Sequence, residues 1–500
     1  VSTRVTAAVR VWRSRSARTR ADHAYAAYLG LLVALVAVVP LVRAAWLGLT
    51  GPQATLALTS GEAPGATVAI VAGLWGGALL CGPKRGPALR APFLTHALAS
   101  AELGRTDVFR GPVLRAGVVV ATLTTASAAM VGLAVAASHG TGMLDVTVFV
   151  VAGALVGVIA TILWLIGQVF PRAALPGAAA VVALGAATTA APGLRPFTPW
   201  GWAGLAFPAG DALPALAALV ALSALAVALA ATVPALLDRL ELTDLLAQSL
   251  RWDSATVRAT GMDFGAAAAV YRTPPRFGRR VRAVRPHRWS TVVLLRSDAV
   301  GAVRTPGRLL LGVVAVAGAG VLGAFAVGAS GQQWAWGAAA GVLLFAGLGP
   351  LTDGIRHAVA AAADLPLYGM SDERLLAGHA LFPVSVSTAV LLVVAAVCAA
   401  ATGSTVWPPV LGVLLLGLFG VLTRLATALQ GPLPPALLAP MPTPMGDLGG
   451  AVRFAWALQG VLLAGLAGAA TAMIVDVPGF ALGTAVVLIG LCAHRWRHRH

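Results

Sequence analysis

Lys84 is the only lysine in 500 residues, and asparagine is missing altogether. A P-loop needs a lysine at a fixed spacing so that its ammonium reaches the β- and γ-phosphates. Lys84 sits in Gly82-Pro83-Lys84-Arg85-Gly86, which lacks that spacing, so no Walker-type ATPase site is present. Cysteine is almost as scarce. Cys81, Cys398 and Cys492 are isolated, with no Cys-x-x-Cys or Cys/His spacing for a metal, a redox centre or a disulfide framework. Each lies in or at the end of an apolar stretch and reads as a small buried hydrophobe. His-Glu-x-x-His and Gly-x-Ser-x-Gly are absent too. Glu62, Asp145, Asp211 and Asp476 are scattered, whereas a lipid-linked transferase needs clustered acids or a metal at the membrane face. No catalytic, cofactor-binding or metal site is expected.

Charge is also in short supply. Only 11 % of residues are charged, 58 % are hydrophobic and mean hydropathy is +0.86. Ordinary soluble domains carry about 25 % charged residues. The excess of Ala, Gly, Val, Leu and Arg fits the codon usage of a GC-rich bacterial genome and carries no chemistry. A net charge of +17 would suggest a nucleic-acid partner in a soluble protein. Here the arginines fall where membrane topology requires them, and no nucleic-acid partner is expected.

What is present is a series of long apolar stretches. A helix needs about 20 apolar residues to cross a bilayer. Such stretches fall at 25–48, 66–82, 116–137, 146–168, 173–191 and 213–235, then at 309–328, 337–352, 378–402, 408–430, 454–474 and 479–493. The expected fold is all-α: a polytopic integral membrane protein with about twelve transmembrane helices in two six-span halves. The gaps 49–65, 138–145, 329–336, 403–407 and 475–478 hold no Lys or Arg, and 192–212 holds only Arg195. The alternate gaps hold the rest: Lys84 to Arg115, Arg172, a cluster from Arg239 to Arg308, Arg356 with Arg374, and Arg453. Loops on the cytoplasmic side carry the Lys/Arg excess. Both termini are therefore expected in the cytoplasm.

The organisation that follows is a basic tail with interfacial character at 1–24 and a first membrane half at 25–235. A basic cytoplasmic linker at 236–308, a second half at 309–493 and a basic tail at 494–500 complete it. The N-terminal apolar run exceeds the about 7–15 residues of a signal-peptide core and reads as a retained span. In the linker, Leu237 to Leu245 reads as a helix extending from the sixth span, and 289–304 as an interfacial helix. The histidines at 494, 498 and 500 read as part of a basic anchoring tail rather than as metal ligands. Arg43 and Arg424, near span ends, are expected to snorkel. No acid falls in mid-span, which counts against a secondary transporter, although ions held by backbone carbonyls would still allow one. A secondary transporter or channel, or a non-transporting membrane scaffold subunit, is the alternative to the reading below.

The two halves share a motif. Gly104-Arg105-Thr106-Asp107 follows the second span and Gly369-Met370-Ser371-Asp372 follows the eighth; each leads through an arginine, Arg110 or Arg374, into the next span. A duplicated six-span unit would place the motifs so, although Ser/Thr and Asp also occur there simply as helix caps. Thr106/Asp107 and Ser371/Asp372 are expected to cap the helices entering spans three and nine. The loops 83–115 and 353–377 are longer than a connection requires and read as docking surfaces for a cytoplasmic partner, or as plain linkers. The outward segment Pro196-Phe197-Thr198-Pro199-Trp200-Gly201-Trp202 reads as an interfacial aromatic belt, or as a re-entrant hairpin closing the mouth of a pathway.

With Pro199-Trp200-Gly201-Trp202, the Gly-x-Ser/Thr-Asp loops and Asp353-Gly354-Ile355-Arg356-His357, the chain resembles ABC transporter permeases of the type-2 exporter class. The similarity is closest to polytopic proteins of about 500 residues from high-GC bacteria that are regarded as such permeases. That resemblance implies the membrane-spanning subunit of an exporter in the bacterial cytoplasmic membrane. One chain would supply both halves, with no further permease subunit, and a separate ABC ATPase would hydrolyse the nucleotide. Membrane lipid would be its other partner. The resemblance places ATPase coupling on the loops 83–115 and 353–377, with Arg105, Thr106, Asp107, Arg110, Arg356, Ser371, Asp372, Glu373 and Arg374 as candidates. It makes Pro199, Trp200, Gly201 and Trp202 a candidate outer gate. The second half departs from the pattern, since Val475-Asp476-Val477-Pro478 is too short for an outer hairpin.

Overall fold

A computed structural model describes residues 3–14, 24, 27–28, 30–31, 34–101, 103–208, 210–272, 277–278, 280–328, 332–362, 369–402, 407–431, 433–434, 437, 442–443 and 446–498. Among these the regular structure is helical apart from one antiparallel pair of two-residue strands. It divides into two compact units, Val1–Val257 and Arg258–His500.

The first unit opens with α1 (Thr3–Ser14). A π-helical turn, Ala34–Val38, leads into α2 (Val39–Leu49), followed by α3 (Pro52–Thr59), α4 (Ala63–Cys81), α5 (Pro92–Ala99), α6 (Arg105–His139), α7 (Met143–Val169) and α8 (Pro171–Ala190). After the 3-10 turn Pro192–Phe197 come α9 (Pro199–Leu205), α10 (Ala212–Asp238) and α11 (Leu242–Thr260). The second unit holds α12 (Phe264–Ala269), α13 (Ser290–Val303), α14 (Pro306–Gly328), α15 (Gln333–Gly347), α16 (Asp353–Ala361), α17 (Asp372–Thr402) and α18 (Trp407–Ala428). The strands β1 (Pro442–Thr443) and β2 (Gly446–Asp447) precede α19 (Leu448–Ala472) and α20 (Pro478–Arg497).

Ten helices among the described residues are long and apolar enough to cross a membrane: α4, α6, α7, α8, α10, α14, α17, α18, α19 and α20. The protein is a multi-pass membrane protein. The expected first span, 25–48, lies partly outside the described residues. The expected span 337–352 is instead α15, 15 residues long and set four residues earlier. Gly347, Gly349 and Pro350 stop it, because proline disfavours the helical conformation in the residue before it. Proline starts α3, α4, α5, α8, α9 and α20, where its missing N–H costs nothing. Gly140, at φ +65°, ends α6 in the left-handed conformation and turns the chain into α7.

Lipid tails are as apolar as leucine, so spans associate through close packing rather than through the hydrophobic effect. Small residues supply that closeness. Gly153 and Gly157 of α7 lie against Ala121, Thr124 and Ala128 of α6, where an added Cβ would collide. In the second unit Gly337 and Gly341 of α15 meet Ala464 and Gly468 of α19 in the same way. The pairings match between units: α4 packs on α8 and α6 on α7, as α15 packs on α19 and α17 on α18. α2 also touches α6, as α14 touches α17.

Two large apolar clusters hold the first unit, beside a smaller one around Phe149 and Phe207. One gathers Val68, Trp75, Ala152, Ile159 and Leu222 among the spans. The other joins Val5 of α1, Leu94 of α5, Phe109 of α6, Leu165 of α7, Leu237 of α10 and Leu245 of α11. α1, α5 and α11 are too short or too polar to span, so this second cluster removes apolar surface from water, about 1.5–3 kcal/mol per large side chain. It also corrects the expected extension of span six. Bringing Leu237, Leu240 and Leu245 into one cluster breaks the helix at Arg239–Glu241, and α11 leaves in a new direction. Cys81 is a second correction. It is exposed rather than buried, on the face of α4 turned away from the bundle, where a small apolar side chain suits lipid. Cys492 is buried as expected.

Candidate functional site

The loop that follows α4 is stitched down by two side-chain amides. Gln168 lies in the last turn of α7 and Gln248 on the apolar face of α11, beside Leu245 and Ser249; all are buried. Gln168 Nε2 donates to Gln248 Oε1 at 3.0 Å. Gly86 N donates to Gln248 Oε1 at 3.1 Å, and Ala88 N to Gln168 Oε1 at 3.2 Å. Gln248 Nε2 reaches Pro83 O at 3.4 Å. The loop backbone thus finds in these amides the partners that buried peptide groups require.

Indole and guanidinium groups complete the brace. Trp164 Nε1 of α7 donates to Arg85 O at 2.6 Å, and the Arg85 guanidinium lies 3.3 Å over the ring of Trp252 on α11. Arg90 forks onto Val108 O with Nε at 2.8 Å and Nη2 at 2.5 Å, tying the entry of α5 to the first turn of α6. The motif residues continue this. Arg105 Nη1 donates to Asp238 O at 3.4 Å, satisfying a carbonyl left open at the end of α10. Thr106 Oγ1 donates to Asp238 Oδ1 at 3.2 Å.

The expected cap at Thr106/Asp107 is therefore corrected. Gly104 occupies the cap position and has no side chain to cap with, while Thr106 has turned toward α10. Asp107, half-buried in the first turn, suits the positive end of α6. Arg110 is exposed. At the second motif the expectation for Ser371 holds: its Oγ accepts from Arg374 N at 3.5 Å at the start of α17. Asp372 is half-buried, and Glu373 and Arg374 are exposed.

In the second unit the short helix α16 is fixed by charge. Asp353, its first residue, is gripped by Arg308 of α14 through both carboxylate oxygens, and Arg308 Nη2 also donates to Gly349 O at 3.2 Å. Arg272 Nη1 stands 3.7 Å and Arg356 Nη1 3.9 Å from the same carboxylate. Three guanidiniums thus share one acid. Burial holds the Arg356 guanidinium below its ordinary pKa range; the neighbouring Arg272 charge adds to the fall, and Asp353 opposes it. The groups are about a third or more exposed, from 30 % at Arg308 to 42 % at Asp353, so each contact is worth about 0–1 kcal/mol.

Behind α16 lies a buried pair that sequence reasoning missed. His379 Nδ1 of α17 is 2.8 Å from Asp298 Oδ2 of α13 and 3.0 Å from Oδ1; the side chains are 5 % and 9 % exposed. Gly354 of α16 packs on that carboxylate with no room for a Cβ, and the His357 ring stands edge-on to His379 at 6.1 Å. Arg424 is a further correction. Instead of snorkelling out of α18, its guanidinium lies 3.8 Å over the Phe345 ring of α15 and donates to Phe345 O. A hydropathy reading gives the charge but not the carbonyl waiting for it. Likewise Arg495, assigned to the C-terminal tail, lies in α20 and donates to Ala426 O and Gln459 Oε1, both at 2.6 Å.

At the other end of the first unit, α9 carries the tryptophan motif. Trp200 is buried, donates from Nε1 to Thr188 Oγ1 at 3.0 Å, and meets Trp75 edge-on at 6.5 Å. Trp202 is half-buried and donates to Pro196 O at 2.7 Å. Pro199 starts α9, and Gly201 lets it close onto the Arg195 backbone. The motif joins α9 to α4 and α8, with Phe197 left exposed at the rim.

Comparison with known proteins finds no matching family, curated protein or solved structure.

Proposed function

We propose that the chain is the membrane-spanning permease subunit of an ABC-type exporter in the bacterial cytoplasmic membrane, driven by a separate ATPase. The observation that carries this reading is the fastening of the loop after the second span in each unit. One loop is pinned through Gln168, Gln248, Trp164 and Arg90, the other through Arg308 and Asp353. A partner can shift the spans only by binding their conformations differently, and a loop transmits that difference only if it moves with the spans. The described residues of both loops meet this requirement and leave Arg110 and Arg374 exposed for contact. The like pairing of spans in the two units supports a duplicated six-span element, twelve spans in all, and the arginine-poor alternate gaps support both termini in the cytoplasm.

Co-purification tests the reading. The protein, gently solubilised from its native membrane, is expected to retain a P-loop ATPase; recovery without any nucleotide-binding subunit counts against an exporter. A second reading, a proton-coupled secondary transporter, is favoured by the buried Asp298–His379 pair, which sets an ionisable side chain of the membrane-capable helix α17 against a carboxylate of α13. Reconstituted vesicles that move substrate under a pH gradient without ATP would select it.

A further inference from the structure

One carboxylate does not neutralise the charge gathered at the start of α16. Asp353 is the only acid within 4 Å of these guanidiniums among the described residues, and the two-pronged grip of Arg308 already takes it up. Arg272 and Arg356 are left over. Their Nη1 atoms stand 3.7 and 3.9 Å from the same oxygen, Oδ1, beyond hydrogen-bond reach. Neither guanidinium makes a hydrogen bond among the described residues, and both side chains are more than a third exposed. The forces on Arg356 show which sign wins. After burial, repulsion from Arg272 lowers its pKa by more than the attraction of Asp353 raises it, and Arg308 adds to the fall. Arg356 therefore sits in a net positive field. Arg424 enlarges the surplus. It has no carboxylate partner among the described residues, and its Nε is buried without a hydrogen bond. A Cβ on Gly349 would lie 3.4 Å from Arg424 Nη2, and the carbonyl of that glycine accepts from Arg308, so the fourth guanidinium adjoins the others.

The four arginines come from separate elements. Arg272 follows α12, Arg308 opens α14, Arg356 lies in α16 and Arg424 in the last turns of α18. The fold holds them together against their mutual repulsion, which a counter-charge between them would relieve. Each unengaged guanidinium offers five N–H donors in a planar fork that matches the oxygens of a phosphate. A phosphate also brings enough oxygens for two forks at once, which a single carboxylate already gripped by Arg308 does not. The place suits that anion. α14 and α18 are membrane-capable, with Arg308 the third residue of one and Arg424 four residues from the end of the other. Span ends lie at headgroup depth, within reach of lipid phosphate and of phosphate in solution. Leu311, one turn along α14 from Arg308, is exposed and offers an acyl chain an apolar neighbour.

We propose that Arg272 and Arg356, backed by Arg308 and Arg424, bind a phosphate group, carried by an anionic phospholipid or free in solution. The site does not depend on the exporter reading. The test uses the full-length chain, delipidated in detergent and titrated with dioctanoyl phosphatidylglycerol, dioctanoylglycerol and inorganic phosphate. At least one of the two phosphates is expected to bind and to raise the thermal midpoint. Phosphatidylglycerol binding about tenfold or more tighter than inorganic phosphate identifies a lipid headgroup, and a smaller ratio identifies the free ion. Arg272→Gln should weaken the tighter phosphate about fivefold, the upper end for a partly exposed ion pair. It should leave the midpoint of the ligand-free protein unchanged or higher, because it removes a charge that repels Arg356. Arg272→Lys keeps the charge but loses the fork, and should recover part of the affinity. Arg172→Gln, at an exposed arginine of the other unit, should leave binding unchanged. Binding of neither phosphate overturns the proposal, as does dioctanoylglycerol binding as tightly as phosphatidylglycerol, since the chains alone would then suffice. Equal loss from Arg172→Gln and Arg272→Gln overturns it too, because the attraction would be that of overall charge. A lower ligand-free midpoint in Arg272→Gln would make Arg272 a structural partner of Asp353, with the same consequence.

Discussion

The side-chain amides of Gln168 and Gln248 meet at 3.0 Å across 80 residues of chain, and each also accepts a backbone N–H from the loop between them in space. Both side chains are buried. Losing one amide strands the other together with a peptide group, and an unsatisfied buried polar group costs about 1–3 kcal/mol. Gln248→Ala should therefore lower the thermal midpoint of the detergent-solubilised protein and open the 82–91 loop to protease. The double variant with Gln168→Ala should cost less than the sum of the singles. Strict additivity would mean the two amides are not coupled.

The spans were legible in the sequence because length and apolarity are local properties; α7 and α10 fall within a few residues of their expected places. Ser371 was legible too, since a cap and the N–H that donates to it lie three residues apart. Thr106 was not: it has the same motif, but Asp238 competes for its hydroxyl from 132 residues away. Arg424 and the Asp298–His379 pair failed for the same reason, their partners lying 79 and 81 residues distant. Local composition identifies a polar group in an apolar stretch. It does not identify the carbonyl or carboxylate that the fold brings to it.

Topology can be tested without reference to function. A reporter fused after Ser60 or Gly331 should appear outside the membrane, and one after Arg280 or His500 inside. A cytoplasmic signal at Gly331 would break the six-plus-six arrangement and with it the assignment of 353–377 to the inner side.

The Asp298–His379 pair separates the two functional readings. His379→Ala leaves a buried carboxylate without its partner and should lower stability by about 1–3 kcal/mol, measured as a shift in thermal unfolding. Asp298→Asn keeps the shape and an acceptor oxygen, and should cost less. If the pair only ties α13 to α17, transport by the Asp298→Asn protein keeps the wild-type dependence on pH. A transport rate that no longer responds to a pH gradient in that variant would move the balance to proton coupling.

Coupling makes the last prediction, and the geometry sorts its candidates. Arg105 and Thr106 are committed to the end of α10, and Arg356 shares Asp353 with Arg308 and Arg272. Changing them disturbs the fold as well as any partner contact. Arg110 and Arg374 are exposed near the starts of α6 and α17, so their reversal to Glu should leave expression and thermal stability within about 0.5 kcal/mol. Substrate-stimulated ATP hydrolysis by the complex, or retention of the ATPase on purification, should nevertheless fall. Arg172 is the control, equally exposed at the start of α8 but outside both loops. Its reversal should matter less, because Arg172 lies outside the two loops to which coupling is assigned. If Arg172→Glu uncouples the complex as fully as Arg110→Glu and Arg374→Glu, the two loops hold no special place in coupling and the exporter reading loses its structural basis.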